Sequence, residues 1–420
     1  MSEFKTYTIE QLCIVGSSKR VHLSDYVQQG VPFYRSKEVI ELSSGKNISE
    51  QLFISPEKYS EIKSKFPVPQ ENDVLITAVG TIGEILVVKD PNFYFKDGNL
   101  IWLRNINFDI IDIDYLYYFL KSDLFQKTIK YNNIGAVQKA LTIDFLKTVK
   151  ITLPSLDNQR KLISVLKSID KKLKINNQIN QELEAMAKIL YDYWFVQFDF
   201  PDQNGKPYKS SGGKMVYNPE LKREIPEGWG VAKIEDIAQT GSGGTPKSTN
   251  VSYYSNGEIP WINSGELEQT VITSTSNFIT EEGLNNSSAK LFPSGTILVA
   301  MYGATAGKVS FLTFEASTNQ AICAIMLNDI RMRYYLKNVI EDLYQYLVKL
   351  STGFARDNLS QDMIKNIKVV IPSNDILDRY YDFSNNIIKE ITKKQQENEQ
   401  LTQLRDWLLP MLMNGQVKVG

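Results

Sequence analysis

Residues 153–200 read LPSLDNQRKLISVLKSIDKKLKINNQINQELEAMAKILYDYWFVQFDF and hold an unbroken helical pattern. One stripe of this pattern recurs every seven positions, and a companion stripe is predicted three positions after it: Leu162, Ile169, Asn176, Leu183 and Leu190, with Val165, Lys172, Ile179, Met186 and Tyr193. Such narrow stripes are typical of a helix that packs against a single partner helix. Because neither Gly nor Pro interrupts it for about 40 residues, the helix would be about 60 Å long. The pattern predicts a spacer.

The predicted partner helix lies in the same chain, because the sequence repeats itself. Pro372 stands 218 residues after Pro154, and the same offset carries Gly135 onto Gly353. The second helix ends at Trp407-Leu408-Leu409-Pro410, and its apolar stripe is Ile376, Tyr380, Phe383, Ile387, Ile391, Leu401, Leu404 and Leu408. A period this long indicates a duplicated domain. We therefore predict an antiparallel coiled coil between residues 156–196 and 376–409.

The middle of each predicted helix is polar. Asn176 and Lys172 occupy core positions of the first helix, and the second helix is polar from Lys393 to Gln400. Antiparallel pairing sets middle against middle, so these residues are expected to form one polar layer. Such a layer fixes the register and orientation of paired helices.

Composition limits the class of protein. The chain has 420 residues and a net charge of −1, which argues against a broadly basic nucleic-acid coat but allows local basic patches. Cys13 and Cys323 lie in opposite halves, and His22 is the single histidine, so neither a zinc site nor a disulfide framework is expected. The sequence contains no run of 18 apolar residues, so it predicts no membrane-spanning helix. We expect a cytoplasmic protein.

The two halves present the same order of elements. Residues 1–152 predict a mixed α/β domain, with a hairpin of strands 73–77 and 84–88 around a glycine-bearing turn, a further strand and a helix from Tyr115 to Ile129. Residues 229–372 repeat this order, with a helix from Arg331 to Leu350. Residues 153–200 and 373–420 are the two long helices. Residues 201–228 are rich in Pro, Gly, Ser and Lys and predict a linker loop.

Motifs for catalysis are weak in this sequence. Asp202 with Glu220 and Lys222 matches the loose spacing of metal-dependent nucleases, but the residues lie in the predicted loop, where no strand would hold the acids around a metal. The glycine-rich run at Gly241–Ser248 carries a proline where a phosphate-binding loop needs Gly-Lys. We predict no catalytic residues and no metal site.

Motifs for binding are stronger, because each half carries a variant of the same loops. The hairpin tips Thr77–Gly83 and Ala300–Lys308 combine small residues with Thr, Tyr and Lys, which suit phosphate or base edges. Gly135–Lys139 and Gly353–Asn358 form a second pair of loops, in which Gln138 and Arg356 match adenine and guanine chemistry. The pattern favours two nucleic-acid-binding domains with different loop chemistry.

Taken together, these features resemble the specificity subunit of type I restriction-modification systems. The resemblance rests on Ile225–Trp229, Gly243–Pro246, the glycine-turn hairpin, Leu153-Pro154 with Gln159, and Trp194–Phe198. The chain departs from the family pattern in the first half, where Gly16–Arg20 stands in for Gly-Gly-Thr-Pro, and after Pro372, where Asn374-Asp375 replaces the acid-Gln pair.

The resemblance implies a non-catalytic reader of DNA. In the family, two target-recognition domains each bind one half of a two-part site, separated by an antiparallel coiled coil. The coiled coil docks two methyltransferase subunits that use S-adenosylmethionine, and restriction subunits that use ATP and Mg join that core. This chain itself is expected to need no cofactor.

The residues predicted to contact DNA are Lys19, Arg20, Arg35, Lys37, Thr77, Gly80, Thr81, Gln138, Lys139, Thr245, Lys247, Asn263, Tyr302, Thr305, Lys308 and Arg356. Those predicted to form the coiled coil and dock partners are Leu162, Ile169, Asn176, Ile179, Leu183, Trp194, Phe195, Ile387, Ile391, Leu401 and Trp407. Three alternatives remain open from the sequence. They are the specificity subunit of a related methyltransferase–nuclease system, a fused nuclease or methyltransferase, and a coiled-coil scaffold that binds only protein.

Overall fold

The computed structural model describes residues 4–131, 140–303, 305–350 and 359–413. The chain divides into two compact units. Unit 1 comprises residues 1–173 and 400–420, and unit 2 comprises residues 174–399. Each unit therefore contains one α/β portion together with part of both long helices.

The α/β portion of unit 1, called the first head, extends from Lys5 to Leu153. Its strands are β1 (Lys5–Thr8), β2 (Ile14–Gly16), β3 (Tyr26–Val27), β4 (Val31–Tyr34), β5 (Leu52–Ile54), β6 (Val74–Thr77), β7 (Ile85–Val87), β8 (Tyr94–Phe95), β9 (Leu100–Arg104) and β10 (Lys150–Leu153). Its helices are α1 (Ile9–Leu12), α2 (Ser36–Ser43), α3 (Pro56–Lys65), α4 (Ile113–Lys121), α5 (Asp123–Tyr131) and α6 (Ile143–Thr148).

These strands form two four-stranded sheets, in the orders β2-β9-β6-β7 and β3-β5-β4-β8, and β1 pairs with β10. The hairpin of β6 and β7 is antiparallel, with Leu75 opposite Leu86. β4 runs parallel to β8, which places Phe33 opposite Tyr94. Both faces of β6 are buried, as its continuous apolar sequence requires.

The first long helix, α7, runs from Leu156 to Tyr191, and a π-helical turn continues it from Asp192 to Val196. Its start is held by Gln159, a fully buried amide. The Gln159 Nε2 donates to the carbonyls of Ile110 and Pro154, at 2.9 Å each, and its Oε1 accepts from the Asp112 N–H at 2.9 Å. The polar side chain thus satisfies three backbone groups of the first head.

After α7, unit 2 continues with a hairpin of β11 (Met215–Asn218) and β12 (Arg223–Pro226), so the predicted linker loop at 201–228 is wrong in its second half. Ile225 is buried there, and Trp229 stacks on Phe200 with ring centroids 4.8 Å apart. Burial of these apolar side chains orders a segment whose Gly, Ser and Pro content alone predicts a loop.

The second head extends from Gly230 to Ile371. Its strands are β13 (Gly230–Lys233), β14 (Ala238–Ser242), β15 (Ile259–Ile262), β16 (Val271–Ile272), β17 (Phe278–Ile279), β18 (Leu291–Phe292), β19 (Ile297–Ala300), β20 (Val309–Leu312), β21 (Ala316–Thr318), β22 (Ile322–Leu327) and β23 (Lys368–Ile371). Its helices are α8 (Ile234–Ile237), α9 (Glu281–Asn285), α10 (Arg333–Leu350) and α11 (Gln361–Lys365).

The second head repeats the topology of the first. The order β14-β22-β19-β20 answers β2-β9-β6-β7, with β16 added at the edge, and β15 runs parallel to β21 as β4 does to β8. β13 pairs with β23 just as β1 pairs with β10. The predicted two-fold repeat of a mixed α/β domain is confirmed.

The second long helix, α12, runs from Asn374 to Met413. The sequence predicts that this helix ends at Pro410, but in the structure the helix continues through Pro410. A proline removes one backbone hydrogen bond and crowds the preceding turn, but this site lies within the final turn, where little helix remains to be disrupted.

Within unit 2, α7 and α12 are antiparallel. Asn176 contacts Asn398, with the Asn176 Nδ2 donating to the Asn398 Oδ1 at 2.9 Å, whereas Trp194 lies against Tyr380. Within unit 1, Arg405 of α12 donates to Asp170 of α7 at 3.3 Å. Each unit contains its share of the predicted helix pairing.

The companion stripe of α7 is displaced by one residue from the prediction. The buried positions four residues after the heptad stripe include Leu166, Asn180, Ala187 and Trp194. Val165 and Ile179 are half-buried, and the side chains of Met186 and Tyr193 are exposed. With 3.6 residues per turn, spacings of three and four both keep a stripe on one face, and only the contacts decide between them.

The stripe of α12 differs in the same way. Tyr380, Ile387 and Ile391 are buried as predicted, and Leu401 is half-buried. Phe383 and Leu404 of the predicted stripe, however, are exposed apolar side chains, and so is Trp407, which was predicted to form the coiled coil and dock partners. These three point away from the pairing face of α12 within their own units.

The predicted polar layer is present within unit 2. Asn176 and Asn398 are buried, the Asn176 Nδ2 also donates to Glu397 at 3.0 Å, and the Asn398 Nδ2 donates to Asn177 at 2.8 Å. The buried Oδ1 atoms of Asn176 and Asn180 have no partner among the described residues. Only one pairing register places these amides opposite one another.

Two further elements differ from the sequence prediction. The single helix predicted from Tyr115 to Ile129 is two helices, α4 and α5, because Ser122 takes an extended conformation between them. The strand predicted from Asn319 begins only at Ile322. Within the described residues, no helix combines the length and apolar character needed to cross a membrane.

Candidate nucleic-acid interface

The second head gathers four loops into one loop cluster. These loops are residues 242–247, 263–266, 301–303 with 305–308, and 318–321, and they lie at the ends of β14, β15, β19 and β21. Four hydrogen bonds join them: Gly244 N–H to Thr318 O at 2.9 Å, Asn319 N–H to Ile262 O at 2.9 Å, Met301 N–H to Ala321 O at 2.8 Å, and Thr305 Oγ1 to Ser264 O at 2.8 Å. The polar residues predicted here from the sequence are therefore brought together.

The first head builds the same loop cluster from residues 17–20, 35–37, 77–83 and 95–99. Its joining hydrogen bonds are Ser18 Oγ to Phe95 O at 2.7 Å, Lys96 N–H to Tyr34 O at 2.9 Å, Ala78 N–H to Asn99 O at 2.8 Å, and Ser36 Oγ to Asn99 O at 3.3 Å. Both heads thus present four loops in matching places.

The hairpin tip in each cluster contains two glycines with positive φ, of which the second has no room for a side chain. Gly83 has a φ of +90°, and a Cβ on it would lie 2.5 Å from the Ile129 Cδ1. Gly307 has a φ of +77°, and a Cβ there would lie 2.0 Å from the Tyr344 Cδ1. A side chain at either position would be strained and would clash with the helix behind the hairpin.

In the part of the first head that the structure describes, the positively charged residues predicted to contact DNA form ion pairs or a cation–π contact with neighbouring side chains. Arg20, whose side chain is 70% exposed, donates to Asp97 at 2.9 Å, and Lys37 lies 3.4 Å from Glu50. The Lys19 ammonium lies 5.0 Å from the centre of the Phe66 ring. Arg35 donates from its Nη2 to Glu38 at 2.7 Å. All four side chains reach solvent at least in part.

Thr77 was predicted to contact DNA, and the structure overturns this. Its side chain is fully buried; its Oγ1 donates to the Thr81 carbonyl at 2.5 Å and accepts from the Glu84 N–H at 2.9 Å. The hydroxyl therefore braces the hairpin tip from inside. Gly80 and Thr81 are exposed at that tip, as the prediction requires.

In the second head, the predicted residues fall into two groups. Lys247 and Lys308 are exposed, and no carboxylate among the described residues lies within ion-pair distance of either. Thr245 is exposed and hydrogen-bonded to Gln320, and Asn263 is half-buried. These four side chains are placed where a ligand can reach them.

Tyr302 and Thr305 are less accessible than predicted. Tyr302 is half-buried and packs against the hydrophobic core of unit 2. Thr305 is buried, and its hydroxyl is used by the Ser264 carbonyl, so it organises the cluster and is not supported as a direct contact. Gln138, Lys139 and Arg356 lie outside the described residues.

The fourth loop of each cluster contains none of the residues predicted to contact DNA. Asp97 and Asn99 belong to this loop in the first head, and Asn319 and Gln320 belong to it in the second. The signal was available, since polar runs follow Tyr94-Phe95 and Ala316–Thr318 directly. What the sequence does not show is that β8 and β21 pair with β4 and β15, which brings this loop to the others.

The charged and nucleophilic groups offer little to catalysis. Burial raises the pKa of the Cys13 and Cys323 thiols to about 12, so both stay protonated at neutral pH. Asp202 accepts from the Lys206 N–H at 2.8 Å within its own turn, and Glu220 pairs with Lys368 at 3.1 Å. Among the described residues, no three His, Cys, Asp or Glu side chains are grouped to hold a metal ion.

Similarity to known proteins is found in both halves of the chain. Residues 1–185 and 226–403 match the family described as type I restriction modification DNA specificity domain. The type I restriction enzyme MjaIX specificity subunit of Methanocaldococcus jannaschii is 27% identical over 415 residues, covering 96% of this chain and 90% of that protein. The type I restriction enzyme HindI specificity subunit of Haemophilus influenzae is 26% identical over 329 residues, covering 66% and 71%.

Among solved structures, the S subunit of a type I restriction-modification system from M. genitalium shares the fold. Its TM-score is 0.55 at 16% sequence identity, and the match covers 98% of this chain and 96% of that one. The family match includes both repeats and most of both long helices. The chain therefore belongs to the type I restriction-modification DNA specificity family.

Proposed function

We propose that this chain is the DNA-reading subunit of a type I restriction-modification system and that each head binds one half of a two-part target. The observation that carries the proposal is the pair of loop clusters. Both are built from four loops in matching places, yet their exposed side chains differ. Two readers of the same construction and different chemistry suit a target made of two unlike halves.

We further propose that the long helices dock two methyltransferase subunits. Exposed apolar side chains recur at the repeat offset of 218 residues, which carries Met186 onto Leu404 and Ile189 onto Trp407. Their exposed fractions are 53% and 68% in unit 2, and 43% and 59% in unit 1. Large apolar side chains left in water at equivalent places indicate two equivalent protein contacts.

In this proposal, the chain supplies specificity while its partners supply chemistry. The methyltransferase subunits would bring S-adenosylmethionine, and restriction subunits using ATP and Mg would join the assembly. The subunit would work beside these partners in the cytoplasm. The buried, protonated thiols and the paired carboxylates described above give this chain no part in methyl transfer or strand cleavage.

DNA reading is tested by methylation of a library of randomised two-part sites. The complete complex should methylate a subset defined by two short sequences at a fixed spacing, and the subunit by itself should transfer no methyl groups. Methyl transfer by the purified subunit alone, or methylation without sequence preference by the complex, would overturn the proposal.

Docking is tested by placing a charge in each apolar pair. Ile189→Asp and Trp407→Asp should each remove one methyltransferase subunit, and the double variant should remove both. Val216→Asp and Leu124→Asp are matched controls, because they charge exposed apolar positions in units 2 and 1 away from the long helices. Native mass spectrometry counts the bound subunits. Loss of both partners from either single variant would contradict two separate contacts.

A further inference from the structure

Similar short sequences occur in both loop clusters. Residues 32–38 read Pro-Phe-Tyr-Arg-Ser-Lys-Glu, and residues 260–266 read Pro-Trp-Ile-Asn-Ser-Gly-Glu. The proline, an aromatic residue, the serine and the glutamate coincide. The residue before the serine differs, since it is Arg35 in the first head and Asn263 in the second.

The shared glutamate holds that differing residue in both heads. The Arg35 N–H donates to the Glu38 Oε2 at 2.6 Å, and the Asn263 N–H donates to the Glu266 Oε1 at 2.8 Å. Glu38 is fully buried, and Glu266 also accepts from the Thr275 hydroxyl at 2.7 Å. A buried or multiply bonded carboxylate fixes the backbone at this position as the chain leaves β4 or β15.

The neighbouring fourth loop reaches the same position in both heads. The Lys96 N–H donates to the Tyr34 carbonyl, and the Asn319 N–H donates to the Ile262 carbonyl, each at 2.9 Å. Tyr34 and Ile262 directly precede Arg35 and Asn263. In each loop cluster, two hydrogen bonds thus hold the backbone at the differing residue. One binds its own N–H to the glutamate, and the other binds the preceding carbonyl to the fourth loop.

Arg35 has one edge of its guanidinium held and the other open. The Nε and Nη2 atoms donate to Glu38 at 3.2 and 2.7 Å, and Nη2 also lies 3.6 Å from the Glu50 carboxylate, whereas Nη1 has no partner among the described residues. The hydrogen bonds that Arg35 donates to Glu38 raise the pKa of the guanidinium, which therefore remains charged. The unpaired Nη1 carries two N–H donors, and arginine N–H donors match the O6 and N7 acceptors of guanine.

Asn263 presents an amide that is nearly unused. Its Oδ1 accepts only a long bond of 3.4 Å from the Asn319 Nδ2, and its own Nδ2 has no hydrogen-bond partner among the described residues. A carboxamide with donor and acceptor both available matches the N6 and N7 edge of adenine. The same place in the fold therefore carries different base chemistry in each head.

We propose that Arg35 and Asn263 are equivalent base-reading residues, with Arg35 selecting guanine in one half-site and Asn263 selecting adenine in the other. Glu38 and Glu266 are positioning residues that aim them. This inference rests on the proposed function, because it requires that each loop cluster faces DNA. It adds which residue reads, and which base it takes.

The experiment is a methylation profile over randomised two-part sites, made with the complete complex. Asn263→Ala should lose preference for adenine at one position of one half-site by about tenfold or more, and Asn263→Arg should move that preference to guanine. Arg35→Ala should lose preference for guanine at one position of the other half-site. Asn285→Ala, an exposed asparagine on α9, is the matched control and should keep the wild-type profile.

The glutamates are tested through discrimination and not through activity alone. Glu266→Ala should lower the adenine preference although Asn263 is still present, and Glu266→Gln should restore most of it, because a carboxamide oxygen still accepts the Asn263 N–H. A general structural role would instead weaken methylation at every sequence equally. Hydrogen-exchange protection of the second head identifies a variant that has simply unfolded.

The outcomes separate this inference from the function on which it rests. A wild-type complex without any sequence preference would remove the proposed function. A wild-type complex that reads a two-part site, with Arg35 and Asn263 variants that keep its profile or weaken all sequences alike, would overturn the base assignment alone. A variant in one head that changes preference in both half-sites would also overturn it.

Discussion

The loop clusters of the two heads share a framework but manage charge differently. In the first head, Arg20, Arg35 and Lys37 each have a carboxylate partner. In the second, Lys247 and Lys308 have none within the described residues, and the other exposed groups are neutral. The β-sheets set where the four loops meet, but they leave the loop side chains free to vary. One fold can therefore support two different readers.

The two heads also differ in how they are attached to the long helices of their own units. Gln159 holds the start of α7 in unit 1 through three hydrogen bonds to backbone groups. The residue 218 positions later is Leu377, which is buried in the apolar core of unit 2. Phe195, Trp229, Tyr335 and Tyr380 form an aromatic cluster within that core. At this position unit 1 therefore has a polar anchor and unit 2 an apolar contact, although the following turns of α7 also pack in the core of unit 1 through Leu162 and Leu166.

The largest expected effect comes from breaking the aromatic cluster. Phe195 is buried with its ring 4.7 Å from those of Tyr335 and Tyr380, so Phe195→Ala should destabilise unit 2 by about 3–5 kcal/mol. Hydrogen exchange followed by mass spectrometry should show faster exchange in unit 2 and unchanged exchange in unit 1. Tyr217→Ala, at an exposed aromatic side chain of unit 2, should leave both units unchanged. Equal loss of protection in both units would contradict the difference in attachment.

A smaller effect is expected from replacing the polar anchor. Gln159→Leu would leave the Asp112 N–H and two carbonyls without their partner, at a cost to unit 1 of about 1–3 kcal/mol for a buried group left unpaired. Leu377→Met is the matched change in unit 2, and a volume-conserving swap should cost less than about 1.5 kcal/mol. Denaturant unfolding of each variant, with exchange rates read by unit, measures both. A Gln159→Leu protein as stable as the wild type would show that the anchor is dispensable.

The charge difference between the loop clusters predicts different salt dependence of DNA binding. A free cation that contacts phosphate releases a counterion, so Lys308→Ala should lower the slope of log affinity against log salt by about one. Arg20→Ala should lower it by less, because Asp97 already neutralises that guanidinium. Titrations of the complex with its target at several salt concentrations give both slopes. A larger change for Arg20 than for Lys308 would reverse the comparison.

The smallest effect concerns pH. Burial raises the pKa of Asp73 in the first head above its usual value of 3.8, and Thr296 occupies the corresponding position before β19 in the second head. A carboxyl with a raised folded pKa contributes stability that is fully present below its unfolded pKa and is lost as pH rises through the folded value. The stability of unit 1 relative to an Asp73→Asn variant should therefore increase as pH falls toward 3.8. Thr296→Ser should show no such trend in unit 2. A pH-independent difference between wild type and Asp73→Asn would count against it.

The repeat itself was readable from the sequence because the same features recur in the same order in both halves, with an offset of 218 residues at the long helices. Pro154 and Pro372 mark the starts of the long helices, and the glycines of the two hairpins mark matching turns whose positive φ only glycine adopts easily. The strands between them followed from continuous apolar runs such as 74–77 and 297–300, which are buried on both faces. These features depend on local conformation and on hydrophobic pattern.

Within the loops, some side chains are less accessible than their sequence suggests. Thr77 and Thr305 look like exposed hydroxyls in a polar loop, yet each is buried and hydrogen-bonded to a backbone carbonyl. Met186 and Leu404 lie in the predicted apolar stripes of a helix pair, yet both are exposed. Burial depends on what packs against a residue, and a repeat of three or four residues leaves that undecided.

The sequence by itself determined the duplicated mixed α/β construction, the two long helices and the polar layer at Asn176, because periodicity and local conformation are written in neighbouring residues. Only the tertiary structure decided which side of each helix faces its partner and which loops meet. The fourth loop joins each cluster because β8 pairs with β4 and β21 with β15, and these pairings connect residues about 60 positions apart. Non-local pairing of this kind follows from how the whole core closes, and no local pattern specifies it.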